Sequence, residues 1–214
     1  IRPTSEAIMY EAYARWIRNW KDLPLRYNQW NNVLRWEFKH PVPFLRSREF
    51  LWNEGHHVYS NPEELEKDKK EIMKIYEEFM EEYMALPALA GKKSDKEKFA
   101  GANGTYSFEL LLPNGKAIQG PDYHDDGQNF AKAYGIKFID KDEKEKFAYQ
   151  STYAISTRML GVMFAIHSDN QGLIIPPKLS KNKLVIVPIL FDDKKQKILD
   201  ESKKITKELS TFSP

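Results

Sequence analysis

Apolar residues at Ile8, Met9, Ala12, Trp16 and Trp20 recur at near-helical spacing, which predicts a helix from a Thr4 or Ser5 cap to about Trp20. Lys21-Asp22-Leu23-Pro24 stops it. From Leu25 to Phe38 the pattern turns extended, with Tyr27, Trp30, Val33, Trp36 and Phe38 as strand-favouring side chains. His40-Pro41-Val42-Pro43 reads as a loop, and a second strand is predicted from about Arg48 to Tyr59. Two strands around a Pro-rich connection predict a long antiparallel hairpin. Asn61-Pro62-Glu63-Glu64 supplies an N-cap and a first-turn Pro for a helix reaching about Leu86. Leu65, Ile72, Tyr76, Phe79 and Tyr83 form its apolar stripe, and its Lys/Glu blocks read as a solvated face.

Gly91 to Gly101 reads as a charged loop. Strands at about Thr105–Leu112 and Ala117–Gly120 flank the turn Pro113-Asn114-Gly115. A helix over Gln128–Tyr134, a strand near Ile136–Phe138, the charged loop Asp140–Lys146 and a strand over Phe147–Ile155 follow. Thr157–His167 reads as a buried helix and Leu173–Ile175 as a short strand. The composition shifts at Lys183: Leu184–Leu190 is a continuous apolar strand and Asp192–Leu209 a charged amphipathic helix, like the opening of a parallel-sheet domain. The organisation predicted is therefore one domain over 1–180 and the beginning of another over 181–214.

With 41% hydrophobic and 13% aromatic residues, the 214-residue chain can bury a sizeable core, which excludes a disordered protein. The charges nearly cancel at +2 and do not decide for or against a nucleic-acid partner. Without Cys, disulfide frameworks and thiolate zinc sites are excluded within this chain. No apolar run approaches the roughly 20 residues of a membrane span, and Ile1-Arg2-Pro3-Thr4 is neither a signal peptide nor a Met start. These features predict a soluble, cytoplasmic chain whose sequence begins inside a larger protein.

Four places concentrate candidate chemistry. On the first hairpin, Arg35 and Glu37 share one strand face, and so do Trp52, Glu54 and His56; this face is either a binding site or a solvated sheet surface. Arg46 and Arg48 bracket the end of the connecting loop, where planar guanidinium forks suit phosphate oxygens; exposed surface arginines are the other reading. Before Thr157-Arg158, the residues Ala148, Gln150, Thr152, Ala154 and Ser156 make a nearly all-small face, fit for a flat ligand or for close packing. Finally, Gln119-Gly120-Pro121-Asp122-Tyr123-His124-Asp125-Asp126 reads as an active-site loop presenting His124 rather than a dedicated metal site. His167 reads as a core histidine.

Taken together, several segments resemble the prolyl-tRNA synthetase family, a class II family. They are Arg2-Pro3-Thr4-Ser5-Glu6, Trp30 to Glu37, Phe44 to His56, Lys98-Phe99-Ala100-Gly101, Gly127-Gln128-Asn129-Phe130, Thr157-Arg158-Met159-Leu160-Gly161 and His167 to Leu173. The resemblance covers about residues 1–190 and is greatest to the archaeal and eukaryotic branch, because too few residues separate the hairpin from Arg158 for the bacterial editing insertion. It implies an α+β/α/β protein with the class II catalytic fold, a mainly antiparallel sheet flanked by helices, followed by the start of an α/β anticodon-binding domain. The hairpin would be motif 2 and the strand-helix at Arg158 motif 3, with motif 1 missing before Ile1.

The resemblance also implies roles. Thr4 and Glu6 would hold proline's imino nitrogen; Arg35 would bind its carboxylate and the α-phosphate. Trp52, Glu54, His56, Phe99 and His124 would shape the proline pocket. Arg46 and Arg158 would take the outer phosphates, with Glu37, Gln119 and Ser156 also at the nucleotide. ATP, Mg²⁺, proline and tRNA(Pro) would be the substrates and partners of a homodimer. Two departures stand out. The family's usual Thr-Ser-His-His-Leu is here Asp122 to Asp126, and Tyr153 replaces a common Trp. Asp122 puts a negative charge towards nucleotide, which favours the alternative of an impaired, regulatory paralogue.

Overall fold

The computed structural model describes residues 1–210. Its frame is one six-stranded sheet in the order β1-β2-β8-β5-β4-β3, antiparallel at every junction. The strands are β1 Leu25–Leu34, β2 Glu49–Tyr59, β3 Leu89–Lys92, β4 Gly104–Leu111, β5 Ala117–Gly127 and β8 Tyr149–Ser156. The short pair β6 Lys137–Ile139 and β7 Glu145–Phe147 stands apart. The helices are α1 Glu6–Trp16, α2 Pro62–Glu78, α3 Asn129–Tyr134, α4 Arg158–His167 and α5 Lys195–Leu209.

The predicted hairpin forms, with Trp52 opposite Asn31 and Glu54 opposite Gln29. β1 stops at Leu34 rather than Phe38, although Arg35 N–H still donates to Arg48 O at 2.7 Å. α1 also stops early, at Trp16; a 3₁₀ turn over Trp20–Asp22, capped by Asn19, replaces its last turn. Its buried residues are Tyr10 and Tyr13, with Ile17 just beyond, while Ile8 and Trp16 stay exposed. The tyrosine face is therefore the buried one, in place of the predicted face through Ile8 and Trp16. Ser5 occupies the N-cap position without capping, because its hydroxyl donates to Glu54.

α2 starts as predicted: Asn61 Oδ1 accepts from Glu64 N at 2.9 Å with Pro62 in the first turn. It ends in a π turn over Phe79–Tyr83. Gly91–Gly101 and Asp140–Lys146 are not wholly loops, for β3 and β7 begin in or overlap them. Leu173–Ile175 and Leu184–Leu190 form no strand among the described residues, since no neighbour offers them a ladder. Helix α5 does form.

Two cores flank the sheet. Tyr76, Met80, Phe108, Tyr123, Met159 and Val162 pack in the larger; Tyr10, Tyr13, Val58, Ile136 and Phe138 pack in the smaller. Asp68 of α2, buried, accepts from Tyr123 and Ser151 hydroxyls at 2.9 Å each and pairs with His57 at 3.0 Å. This bolts the helix to three central strands. Burial pushes the Asp68 carboxyl up, but His57 and the hydroxyls outweigh it and hold it below the usual range.

Candidate active site

On the face of the sheet away from α2, the central strands β2, β8 and β5 present Trp52, Glu54, His56, Thr152, Ala154, Asp122 and His124 to a cavity of about 260 Å³. Period-two alternation produces this lining, sending Tyr123 and Tyr153 to the opposite core. A smaller cavity of about 110 Å³ shares Arg35, Trp52, Gln119, Asp122 and Ala154 with it and adds Ser156 and Arg158. The two form one bent groove.

Glu54 is the anchor of the site. Its carboxylate receives Ser5 Oγ, Gln29 Nε2 and Asn31 Nδ2 (both 2.8 Å), and His56 Nε2 at 2.9 Å. Burial raises its pKa, and those donors reverse the shift to a net lowering. Through Ser5, Glu54 docks the start of α1 against the sheet. That places Glu6 at the cavity, where Thr4 Oγ1 donates to Glu6 Oε2. Glu54 thus has its acceptors filled by protein, whereas Glu6 keeps a carboxylate oxygen for a cationic ligand.

Arg35 donates Nε–H to Pro3 O at 2.8 Å and lies over the rings of Trp52 and Phe50, at 5.1 and 5.6 Å. Trp52 is itself fixed by Nε1–H to Asn31 Oδ1 at 2.7 Å. The guanidinium is held along one edge and faces the junction of the two cavities. Arg158, at the start of α4, donates Nε–H to Leu45 O at 3.1 Å. Burial and then the Arg46 charge lower its pKa, while Asp122 and Glu37 act the other way. It remains a cation at neutral pH.

The segment expected as a loop, Asp122 to Asp126, is instead the second half of β5. Pairing with β4 and β8 on both sides extends it although its composition is acidic. Asp122 Oδ2 accepts from Gln119 Nε2 at 2.7 Å and lies 3.6 Å from His124 Nε2; Lys93 Nζ donates to Gln119 Oε1. The extra negative charge is therefore enclosed by an amide, an imidazole and nearby cations. Phe99 stacks on His124 at 4.6 Å and 24°. Tyr153 is a core residue, its hydroxyl 3.1 Å from His57 Nε2.

Of the residues singled out from sequence, Thr4, Glu6, Arg35, Trp52, Glu54, His56, Phe99, Gln119 and His124 meet in the larger cavity, and Ser156 and Arg158 in the smaller. Glu37 and Arg46 line neither; both lie further along the β1–β2 connection than Arg35, and Arg46 stacks on Phe38 at 5.1 Å. Arg48 is occupied within that connection, donating to Phe38 and Lys39 carbonyls and lying 3.7 Å over Trp36. Sequence reasoning missed Lys93, Glu97 and Thr105. The first two sat in a stretch read as a charged loop, and Thr105 carried no signal beyond a strand start. His167 is half-buried, with Nε2 2.8 Å from Met84 O. Among the described residues, no three His, Asp or Glu side chains group as a metal site, and no helix is long and apolar enough to cross a membrane.

An antiparallel sheet with one arginine in the connection of its first hairpin and another at the head of the helix after β8 defines a class II synthetase core. The chain belongs to that family: the tRNA synthetase class II core domain (G, H, P, S and T) matches residues 1–167. Within it, the chain is 46% identical over 209 residues to the proline--tRNA ligase of Natranaerobius thermophilus, covering 98% of this chain and 43% of that relative. The bifunctional glutamate/proline--tRNA ligase of Drosophila melanogaster is 44% identical over 216 residues, 98% of this chain and 13% of that one. The prolyl-tRNA synthetase of Cryptosporidium parvum, solved with L-proline and AMP, matches with a TM-score of 0.91 and 43% identity over 98% of this chain and 44% of its own. The chain thus spans less than half the length of these relatives.

Proposed function

We propose that the chain is the catalytic core that activates proline with ATP to prolyl-adenylate, and that the full-length protein then charges tRNA(Pro). The observation carrying this reading is the likeness over 98% of the chain to a synthetase solved with L-proline and AMP. Proline fits the larger cavity: Glu6, oriented by Thr4, takes the secondary ammonium, and Phe99, Trp52 and His124 wall the ring. Arg35, at the junction, takes the carboxylate and the α-phosphate. Arg158, with Arg46 swinging in from the connection, takes the outer phosphates, and Glu37, Gln119 and Ser156 flank the nucleotide. Mg²⁺ enters as part of the MgATP substrate.

A proline carboxylate oxygen attacks the α-phosphorus in line; the bond to the bridging oxygen breaks and pyrophosphate leaves with its Mg²⁺. The guanidinium groups stabilise the charge that spreads over the phosphoryl oxygens, so positioning and electrostatics suffice and no protein nucleophile takes part. In the second step the terminal ribose hydroxyl of the tRNA attacks the prolyl carbonyl and AMP departs. This reading carries with it a cytoplasmic homodimer as the full-length form.

Proline-dependent ATP–pyrophosphate exchange on the full-length protein tests the reading. Exchange is expected with proline alone among an amino-acid panel, and Arg35→Ala should lower it about 100- to 1,000-fold. Folded wild-type protein that binds proline without exchanging pyrophosphate would instead be the regulatory paralogue.

A further inference from the structure

We infer that Thr105 is a positioning residue that fixes the Phe99–His124 wall of the cavity; its link to proline rests on the function proposed above. Thr105 lies near the start of β4, is 1% exposed, and stands directly opposite His124 in the β4–β5 ladder. Its Oγ1 accepts the Phe99 N–H at 2.8 Å and lies 2.9 Å from His124 Nδ1. A hydroxyl has a single proton. The Phe99 amide fills one lone pair, and the hydroxyl can meet Nδ1 by donating its proton or by accepting Nδ1–H on its second lone pair; either bond ties the ring to Thr105.

On the other side of the ring, Nε2 lies 3.6 Å from Asp122 Oδ2. Burial pushes the His124 pKa down, in agreement with a neutral ring; Asp122 and Glu6 oppose that shift and Lys93 assists it. The same hydroxyl holds Phe99, whose segment between β3 and β4 has no ladder of its own. Beyond Thr105, Phe99 is braced among the described residues by a turn, Ala102 N–H to Phe99 O at 3.1 Å, and by ring stacking on His124 and Phe130. One buried hydroxyl thus sets the height of the phenyl ring and the tilt of the imidazole. Thr105 O also accepts Lys93 N–H at 2.9 Å, which brings the Lys93 side chain back to Gln119.

The test compares wild type, Thr105→Val and Thr105→Ser in the full-length protein. Valine keeps the shape and removes the hydroxyl; serine keeps the hydroxyl. The expected result is a KM for proline raised about tenfold in the valine variant, with the KM for ATP within about twofold and serine within about threefold of wild type. An unchanged KM for proline in Thr105→Val, or equal damage from serine, overturns the inference, as does a parallel rise in both KM values. ¹⁵N NMR of the histidine side chains, with His124→Gln to assign the signal, separates this inference from the functional reading. If wild type neither binds nor exchanges proline, that reading fails and takes the proline link with it. A His124 Nδ1 signal that does not change between wild type and Thr105→Val removes the Thr105 hydrogen bond itself, whatever the substrate.

Discussion

Asp126 is fully buried, and neither carboxyl oxygen has a hydrogen-bond partner among the described residues; the nearby Tyr10 and Thr152 hydroxyls miss bonding geometry. Burial, then the charges of Glu6 and Asp125, raise its pKa well above the ordinary carboxylate value. The folded state therefore keeps its proton where the unfolded chain has lost it. Its contribution to stability is whole below the unfolded value of 3.8 and is lost as pH climbs from there towards the folded value. Asp126→Leu should consequently stabilise the protein at pH 7.5, by about 1–3 kcal/mol, and the gain should shrink towards pH 4. Paired thermal melts at the two pH values check it; a gain independent of pH would mean packing rather than ionisation. Glu54 behaves oppositely. Glu54→Gln replaces an acceptor of several donors with a group that must itself donate, so α1 should detach from the sheet. We expect a KM for proline raised more than tenfold with a lower melting temperature, measured by exchange kinetics and calorimetry.

At the scale of elements, the connection after β1 is locked to α4 at close quarters. A Cβ on Gly161 would lie 2.7 Å from Phe44 Cβ and 3.0 Å from Leu45 Cδ2, and Leu45 O is the acceptor that holds Arg158. Gly161→Ala should lift the connection and disturb Arg158 while leaving the Glu6 end untouched. Steady-state kinetics should show a KM for ATP raised several-fold with that for proline nearly constant. The hairpin and α2 were legible in the sequence because local rules dictate them: alternation in Trp52–His56 and an Asn-Pro start at Asn61. The second half of β5 was not, since Asp122, Asp125 and Asp126 look like loop residues until the strands on either side are in place. β3 was hidden for the same reason. The stripe read on α1 through Ile8 and Trp16 failed because Tyr10 and Tyr13 pack into an aromatic cluster with His56, Phe130 and Tyr134, which tertiary contacts alone reveal. Most of the residues that line the cavity were singled out through the resemblance; Thr105, Lys93 and Glu97 were not, since their position is a product of sheet register.

Across the whole molecule, the sheet separates a ligand face from a structural face. Asp68, His57, Tyr123 and Ser151 hold the latter without touching the cavity. Asp68→Ala should cost about 3–5 kcal/mol by stranding buried partners, yet at low temperature leave both KM values close to wild type. Chemical denaturation and exchange kinetics on the same sample decide this. The sheet order has a further consequence. β2 and β8 are neighbours, although Trp52 and Ser156 are separated by about a hundred residues of chain. As the polypeptide leaves the ribosome, the hairpin emerges before β8, and the inner edge of β2 has no partner until that last central strand is synthesised. During that interval the half-made sheet is an open edge rich in Trp and Phe, the kind of surface that chaperones cover and that aggregates form on.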